Sequence, residues 1–95
     1  MVVSVEYLDA ISQITKKHGE KVELEENAIV ADLLSKLIGL YGSSFKERIF
    51  PQGGTNVGIH IAIMVKGTEF RLLDGLDTRL NDGDNVMMAT IVMGG

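Results

Sequence analysis

The chain has no cysteine, no tryptophan, one proline and two histidines. Without cysteine it can form neither a disulfide nor a thiolate metal site, and it carries no catalytic thiol. His18 and His60 lie far apart with no cysteine to join them, so no metal-ligand spacing exists and no bound metal is expected. Positive charge is sparse as well. Against 13 Asp+Glu stand 9 Lys+Arg, for a formal net charge of -4 and a pI near 5.0. Lys16-Lys17 is the only adjacent basic pair, which argues against a nucleic-acid partner, whose phosphates need clustered cations. No apolar run approaches the roughly 20 residues that span a bilayer. Residues 1–10 hold Glu6 and Asp9 but no cation, unlike a signal peptide. The expectation is a cytoplasmic protein with no membrane partner.

What the chain does have is apolar surface. Hydrophobic residues make up 45% of its 95 positions, enough for one two-layer core, while the length is too short for two. Residues 2–8 set Val3, Val5 and Tyr7 against Ser4 and Glu6, the period of a half-buried strand. Residues 9–18 carry Ile11 and Ile14 before the breaker Gly19, which suits a short helical turn or an irregular loop. Lys21-Val22-Glu23-Leu24-Glu25 alternates again, a second strand antiparallel to the first. The period then changes. Val30, Leu33, Leu34, Leu37, Ile38 and Tyr41 draw one stripe on a helix. Asn27 is its expected N-cap, Asp32 complements its dipole and Gly42 stops it.

Residues 43–50 predict another helical turn with Phe45 and Ile49 inward. The stretch 51–58, rich in glycine, reads as a flexible loop to which no role is assigned. Ile59, Ile61, Ile63 and Val65 alternate with His60, Ala62, Met64 and Lys66, a third strand that turns at Lys66-Gly67. Residues 71–80 predict short irregular structure, Asn81-Asp82-Gly83-Asp84 a tight turn, and residues 85–91 the last strand. The order strand, strand, helix, strand, short strand or turn, strand predicts an α+β fold. Its one amphipathic helix covers a single face of the sheet and leaves the other for solvent or a partner.

Enzyme readings fail on specific residues. Gly53 and Gly58 have the spacing of half a phosphate loop, but Ile59 stands where its lysine is required. Asp82-Gly83-Asp84 resembles the start of a calcium loop, yet Met93 occupies the place of the bidentate glutamate. Nothing assembles a nucleophile, a base and an oxyanion site. The end of the sequence differs in kind. With 11 glycines in the chain, two fall together at the terminus by chance about once in 75. Residues 91–95 extended span about 17 Å, and glycine has no Cβ to obstruct a narrow channel. Gly94-Gly95 therefore suits a carboxylate that must reach a nucleotide buried in another protein.

Several segments resemble one family. Ile29-Val30-Ala31-Asp32-Leu33-Leu34 resembles the start of the central helix in ubiquitin-like sulfur carriers, and Val65-Lys66-Gly67 their third-strand turn. Leu76-Asp77-Thr78-Arg79-Leu80-Asn81-Asp82-Gly83-Asp84-Asn85-Val86 resembles their D-T-x-L-x-D-G-D-x-V segment, and Gly94-Gly95 their ending. The whole is similar to the MoaD and ThiS carriers, MoaD being the small subunit of molybdopterin synthase. The resemblance implies a β-grasp (ubiquitin-like) fold, a mixed sheet packed on one main helix. Residues 1–91 would form the domain, and residues 92–95 a flexible tail of Val92, Met93, Gly94 and Gly95.

The resemblance further implies a carrier with no catalytic residues of its own. A partner resembling ubiquitin-activating enzymes, an adenylyltransferase using ATP and Mg²⁺, would adenylate Gly95. A sulfur donor would convert the adenylate to a thiocarboxylate, and the sulfur would pass to molybdopterin (or tungsten pterin) on the molybdopterin synthase large subunit. Docking would use the uncovered sheet face, where Met87 and Ala89 point outward if Val86 and Met88 are core, with Leu8 and Phe70 beside them. The same activated glycine would serve a modifier conjugated to lysine, or a sulfur carrier for thiamine or tRNA thiolation. A different class of reading is an interaction domain with an inert tail.

Overall fold

The computed structural model describes residues 1–91. Five strands form one mixed sheet: β1 (Val2–Tyr7), β2 (Gly19–Glu23), β3 (Ile61–Val65), β4 (Thr68–Glu69) and β5 (Asn85–Thr90), in the order β2-β1-β5-β3-β4. β5 lies in the middle, parallel to β1 and antiparallel to β3. The helices α1 (Asp9–Thr15), α2 (Val30–Tyr41) and α3 (Ser43–Ile49) bury their apolar residues in the one core beneath the sheet. Val3, Val5 and Tyr7 of β1, Val86 and Met88 of β5, and Ile61, Ile63 and Val65 of β3 line it from above. Leu33, Leu34 and Leu37 of α2, Ile11 of α1, and Phe45 and Ile49 of α3 fill it from below. The sheet's opposite face carries Ser4, Glu6, Lys21, Glu23, Met87 and Ala89, none of them buried.

Three boundaries differ from the sequence expectation by two residues, because tertiary bonds override local signals. β2 runs Gly19–Glu23 rather than 21–25, its register set by pairing of Val2 with Glu23 and of Glu6 with Gly19. Asn27 does not cap α2. It sits in a left-handed turn at φ 65, and residues 28–29 are held strand-like instead, with Leu80 N–H donating to Ala28 O at 2.9 Å and Val30 N–H to Thr78 O at 2.9 Å. The helix then starts after Ile29, whose N–H donates to Asp32 Oδ2 at 2.8 Å. β3 likewise begins at Ile61 rather than Ile59. Ile61 N–H closes a turn onto Gly58 O at 3.0 Å, which takes Ile59 out of the sheet's alternation and leaves it 74% exposed.

The segment that carried the family resemblance does structural work. Val2 N–H donates to Asp82 Oδ1 at 2.7 Å, Gly83 N–H to Val2 O at 2.8 Å and Ser4 N–H to Asp84 O at 2.9 Å. Gly83 has φ 86, open to glycine at little cost. Buried Asp84 accepts from Asn81 N–H at 2.8 Å and faces Lys66 Nζ at 3.6 Å. Residues 78–84 thus strap the start of α2 to the start of β1 and feed β5 into the gap between β1 and β3.

One polar cluster joins the layers beneath. Glu20 Oε2 accepts from Tyr7 Oη at 2.7 Å and from Tyr41 Oη, while Lys17 Nζ donates to Glu20 Oε1 at 3.1 Å. Partial burial alone would raise the Glu20 carboxyl, but hydrogen bonds from Tyr41, Tyr7 and Lys17 outweigh it and hold it below its ordinary value. A depressed folded-state pKa contributes stability that is present above the unfolded pKa and is lost as pH falls through the folded one. Glu20→Gln should therefore lower stability at neutral pH and flatten its decline under acid, as read from denaturant midpoints across that range. An unchanged acid limb would remove Glu20 from the account.

Candidate functional site

Because β5 is the central strand, whatever follows Thr90 leaves from the middle of the sheet rather than from an edge. The last described contact is Ile91 N–H to His60 O at 2.6 Å. Val92, Met93, Gly94 and Gly95 lie outside the described residues.

On the open face, Met87 stands opposite Met64 of β3 and Glu6 of β1, and Ala89 opposite Ala62. These four apolar side chains are half-buried. Leu8, 40% exposed, follows β1 and donates its N–H to Met88 O at 2.9 Å, which sets it beside Ala89. Cross-strand neighbours on one face lie about 5 Å apart, so Leu8, Ala62, Met64, Met87 and Ala89 make one shallow apolar strip leading to the exit of β5. Sequence reasoning named Leu8, Met87 and Ala89. It passed over Ala62 and Met64, although the alternation of β3 already put them on the same face.

Phe70 is not part of this strip. It is 3% exposed and belongs to the core, because β4 has only two residues before a tight turn (Phe70–Leu72) drops the ring inward. The Arg71 guanidinium sits 4.7 Å from the centre of that ring. From there Arg71 donates to Ile61 O at 3.0 Å, to Gly58 O at 2.8 Å and to Glu69 Oε2 at 3.3 Å. Glu69 in turn accepts from Ile63 N–H at 3.3 Å. Beyond the short β4, these two side chains satisfy backbone groups along the edge of β3, which blunts that edge against pairing with another chain.

A second surface borders the same exit. Ile59, Ile91 and Thr90 line an open groove of about 680 Å³ with Ile14 of α1 and with Glu47 and Arg48 of α3. No helix among the described residues is long and apolar enough to cross a membrane.

A five-stranded mixed sheet wrapped on a main helix, with β5 at its centre, defines a ubiquitin-like β-grasp protein. The chain belongs to the ThiS family, whose model matches residues 5–95. Among solved structures, it is similar to a protein of Pyrococcus furiosus assigned as molybdopterin converting factor, subunit 1. The two share 29% identity at a TM-score of 0.78, over 97% of this chain and 99% of that one. It is also similar to the small archaeal modifier protein 1 of Methanosarcina acetivorans, with 26% identity and a TM-score of 0.84 over 99% and 96% of the two chains. The crystal structure of SAMP1 from Haloferax volcanii matches at a TM-score of 0.85 with 20% identity over the full length of both chains, a likeness of fold. No curated protein sequence matches the chain.

Proposed function

We propose that this chain is a sulfur carrier for molybdopterin, or the corresponding tungsten pterin, and that its reactive group is the carboxylate of Gly95. The observation that carries the proposal is the membership of residues 5–95 in the ThiS family, joined to a C-terminal strand at the sheet centre beside an unburied apolar strip. The likeness to the Pyrococcus furiosus protein supports the pterin pathway.

In the first step a carboxylate oxygen of Gly95 attacks the α-phosphorus of ATP, held with Mg²⁺ by a ubiquitin-activating-like adenylyltransferase. A P–O bond forms and pyrophosphate leaves. The acyl group now has AMP as a good leaving group, which a sulfur donor displaces to give the thiocarboxylate. That sulfur is the nucleophile delivered to the pterin precursor on the molybdopterin synthase large subunit. Residues 92–95 act as the tail, residues 1–91 as the handle, and Leu8, Met87 and Ala89 as part of the surface that partners grip in turn. Methionine suits such serial use because its unbranched side chain repacks readily.

A second reading is favoured by the modifier from Methanosarcina acetivorans: the same adenylate would be captured by a lysine amine and end as an isopeptide. Deleting the gene separates the pathways. The proposal expects loss of molybdenum- or tungsten-enzyme activity, restored by the wild-type chain. Retained activity, with a thiamine requirement or unthiolated tRNA instead, would assign the sulfur elsewhere.

A further inference from the structure

We infer that the turn at residues 57–60 is a rigid docking knob for the activating enzyme, with Ile59 as its apolar tip and the adjoining groove as the seat for a side chain of that enzyme. The inference rests on the proposed adenylation of Gly95 and adds to it a second contact surface, on the helical side of the tail's root, opposite the apolar strip.

Three observations converge. The first is exposure: Ile59 is 74% exposed and Ile91 39% exposed, and both border one groove. The second is rigidity. The turn carrying Ile59 is held by Gly58 N–H on Ile49 O at 2.9 Å, by Ile61 N–H on Gly58 O at 3.0 Å, and by the Arg71 guanidinium on Gly58 O at 2.8 Å. His60 O on its far side accepts from Ile91 N–H. An exposed aliphatic side chain on a backbone already fixed from several sides loses little conformational freedom on binding, which is what preorganised contacts require.

The third is reach. Four residues separate Ile91 from the end of the sequence, and fully extended they cover about 14 Å. A partner that closes its nucleotide pocket around the Gly95 carboxylate must therefore bring its own surface against the residues bordering Ile91. Those residues lie on both sides of the strand end. Met87, Ala89 and Leu8 are on the open face, while Ile59, Ile14 and Thr90 are on the side of the helices. Glu47 and Arg48 set one charge of each sign on the groove's rim. The occupant that fits is an aliphatic or aromatic side chain of the activating enzyme, flanked by polar groups that meet this rim. The loop thereby gains a function: it lifts Ile59 out of β3 and aims it beside the tail.

The test is steady-state adenylation of the full chain by the purified ubiquitin-activating-like enzyme of the same organism, followed by ATP–pyrophosphate exchange. Ile59→Asp and Ile59→Ser should raise KM about tenfold or more, as expected for a central apolar anchor. Their kcat and thermal midpoint should stay near wild type, because the side chain is exposed in the free protein. Ile59→Val, which keeps an apolar tip one methylene smaller, should raise KM less than either polar variant. Wild-type KM for both Ile59→Asp and Ile59→Ser, in a preparation where the chain lacking Gly95 is inactive, would overturn the docking knob and leave the tail assignment standing. Continued adenylation of the chain lacking Gly95 would remove the premise, and the knob with it.

Discussion

Removal of Gly95 should abolish adenylation by the activating partner while leaving the domain's thermal midpoint unchanged. The shortened chain still ends in a glycine carboxylate, that of Gly94, so the chemistry of the reacting group is the same. Only its position changes, by one residue or about 3.5 Å of extended backbone. In-line attack on phosphorus demands reacting atoms about 3 Å apart, and a misplacement of about 1 Å already costs about 10²-fold. A shift several times larger leaves no productive geometry. One residue added after Gly95 should be equally inactive, since it displaces the carboxylate the other way and brings a side chain into a channel sized for glycine. Stability should not respond, because the sheet and helices of the described residues already enclose a common core among themselves. Pyrophosphate exchange reads the first effect and a melting curve the second. Retained exchange would refute the tail assignment.

Met87→Asp should weaken binding to the activating partner by about 10- to 100-fold, the range expected where a hot-spot side chain is lost and a charge is placed in its apolar seat. Met87 is the middle of the open-face strip, with Met64 and Glu6 as cross-strand neighbours. The new carboxylate would face Glu6 directly, and like charges opposite one another cost up to about 1 kcal/mol in a sheet. The midpoint should therefore fall slightly while the fold persists. Titration of the folded variant against the partner measures the loss. Collapse of the folded state would instead assign Met87 to the core, and unchanged affinity would remove the strip from the interface.

The parts of this fold that were legible in the sequence are those written in periodicity. The stripe from Val30 to Tyr41 became α2 with Val30, Leu33, Leu34 and Leu37 buried, and Val86 and Met88 faced inward as alternation required. Gly42 ends the helix at φ 80 with its N–H on Ile38 O at 2.8 Å. Segments whose structure depends on bonds to distant residues were not legible. Asn27 has the chemistry of a cap, yet strand-like bonds from 28–30 to 78–80 delay the helix. Ile59 fits the alternation of β3, but Arg71, twelve residues later, belongs to a network that no local pattern reveals. Phe70 was misplaced for a related reason. Its facing depends on a two-residue β4, and a strand that short has no period to read. The open-face strip was half visible, because Leu8, Met87 and Ala89 follow from parity, whereas pairing with Ala62 and Met64 needs the register. At residues 51–58 no local pattern reveals that Gly58 is pinned by Ile49, Ile61 and Arg71 beside the end of β5.

The claim on which the rest depends is that the terminal glycine is covalently activated and carries sulfur. Intact-mass spectrometry of the protein isolated from its own host addresses it directly. The account predicts a population heavier by the exchange of one oxygen for sulfur, located at Gly95 by fragmentation and lost when the activating enzyme is deleted. An unmodified terminus under every growth condition would contradict it. So would the discovery that the terminus occurs only as a Gly-Gly remnant on lysines of other proteins, which would make the chain a modifier alone.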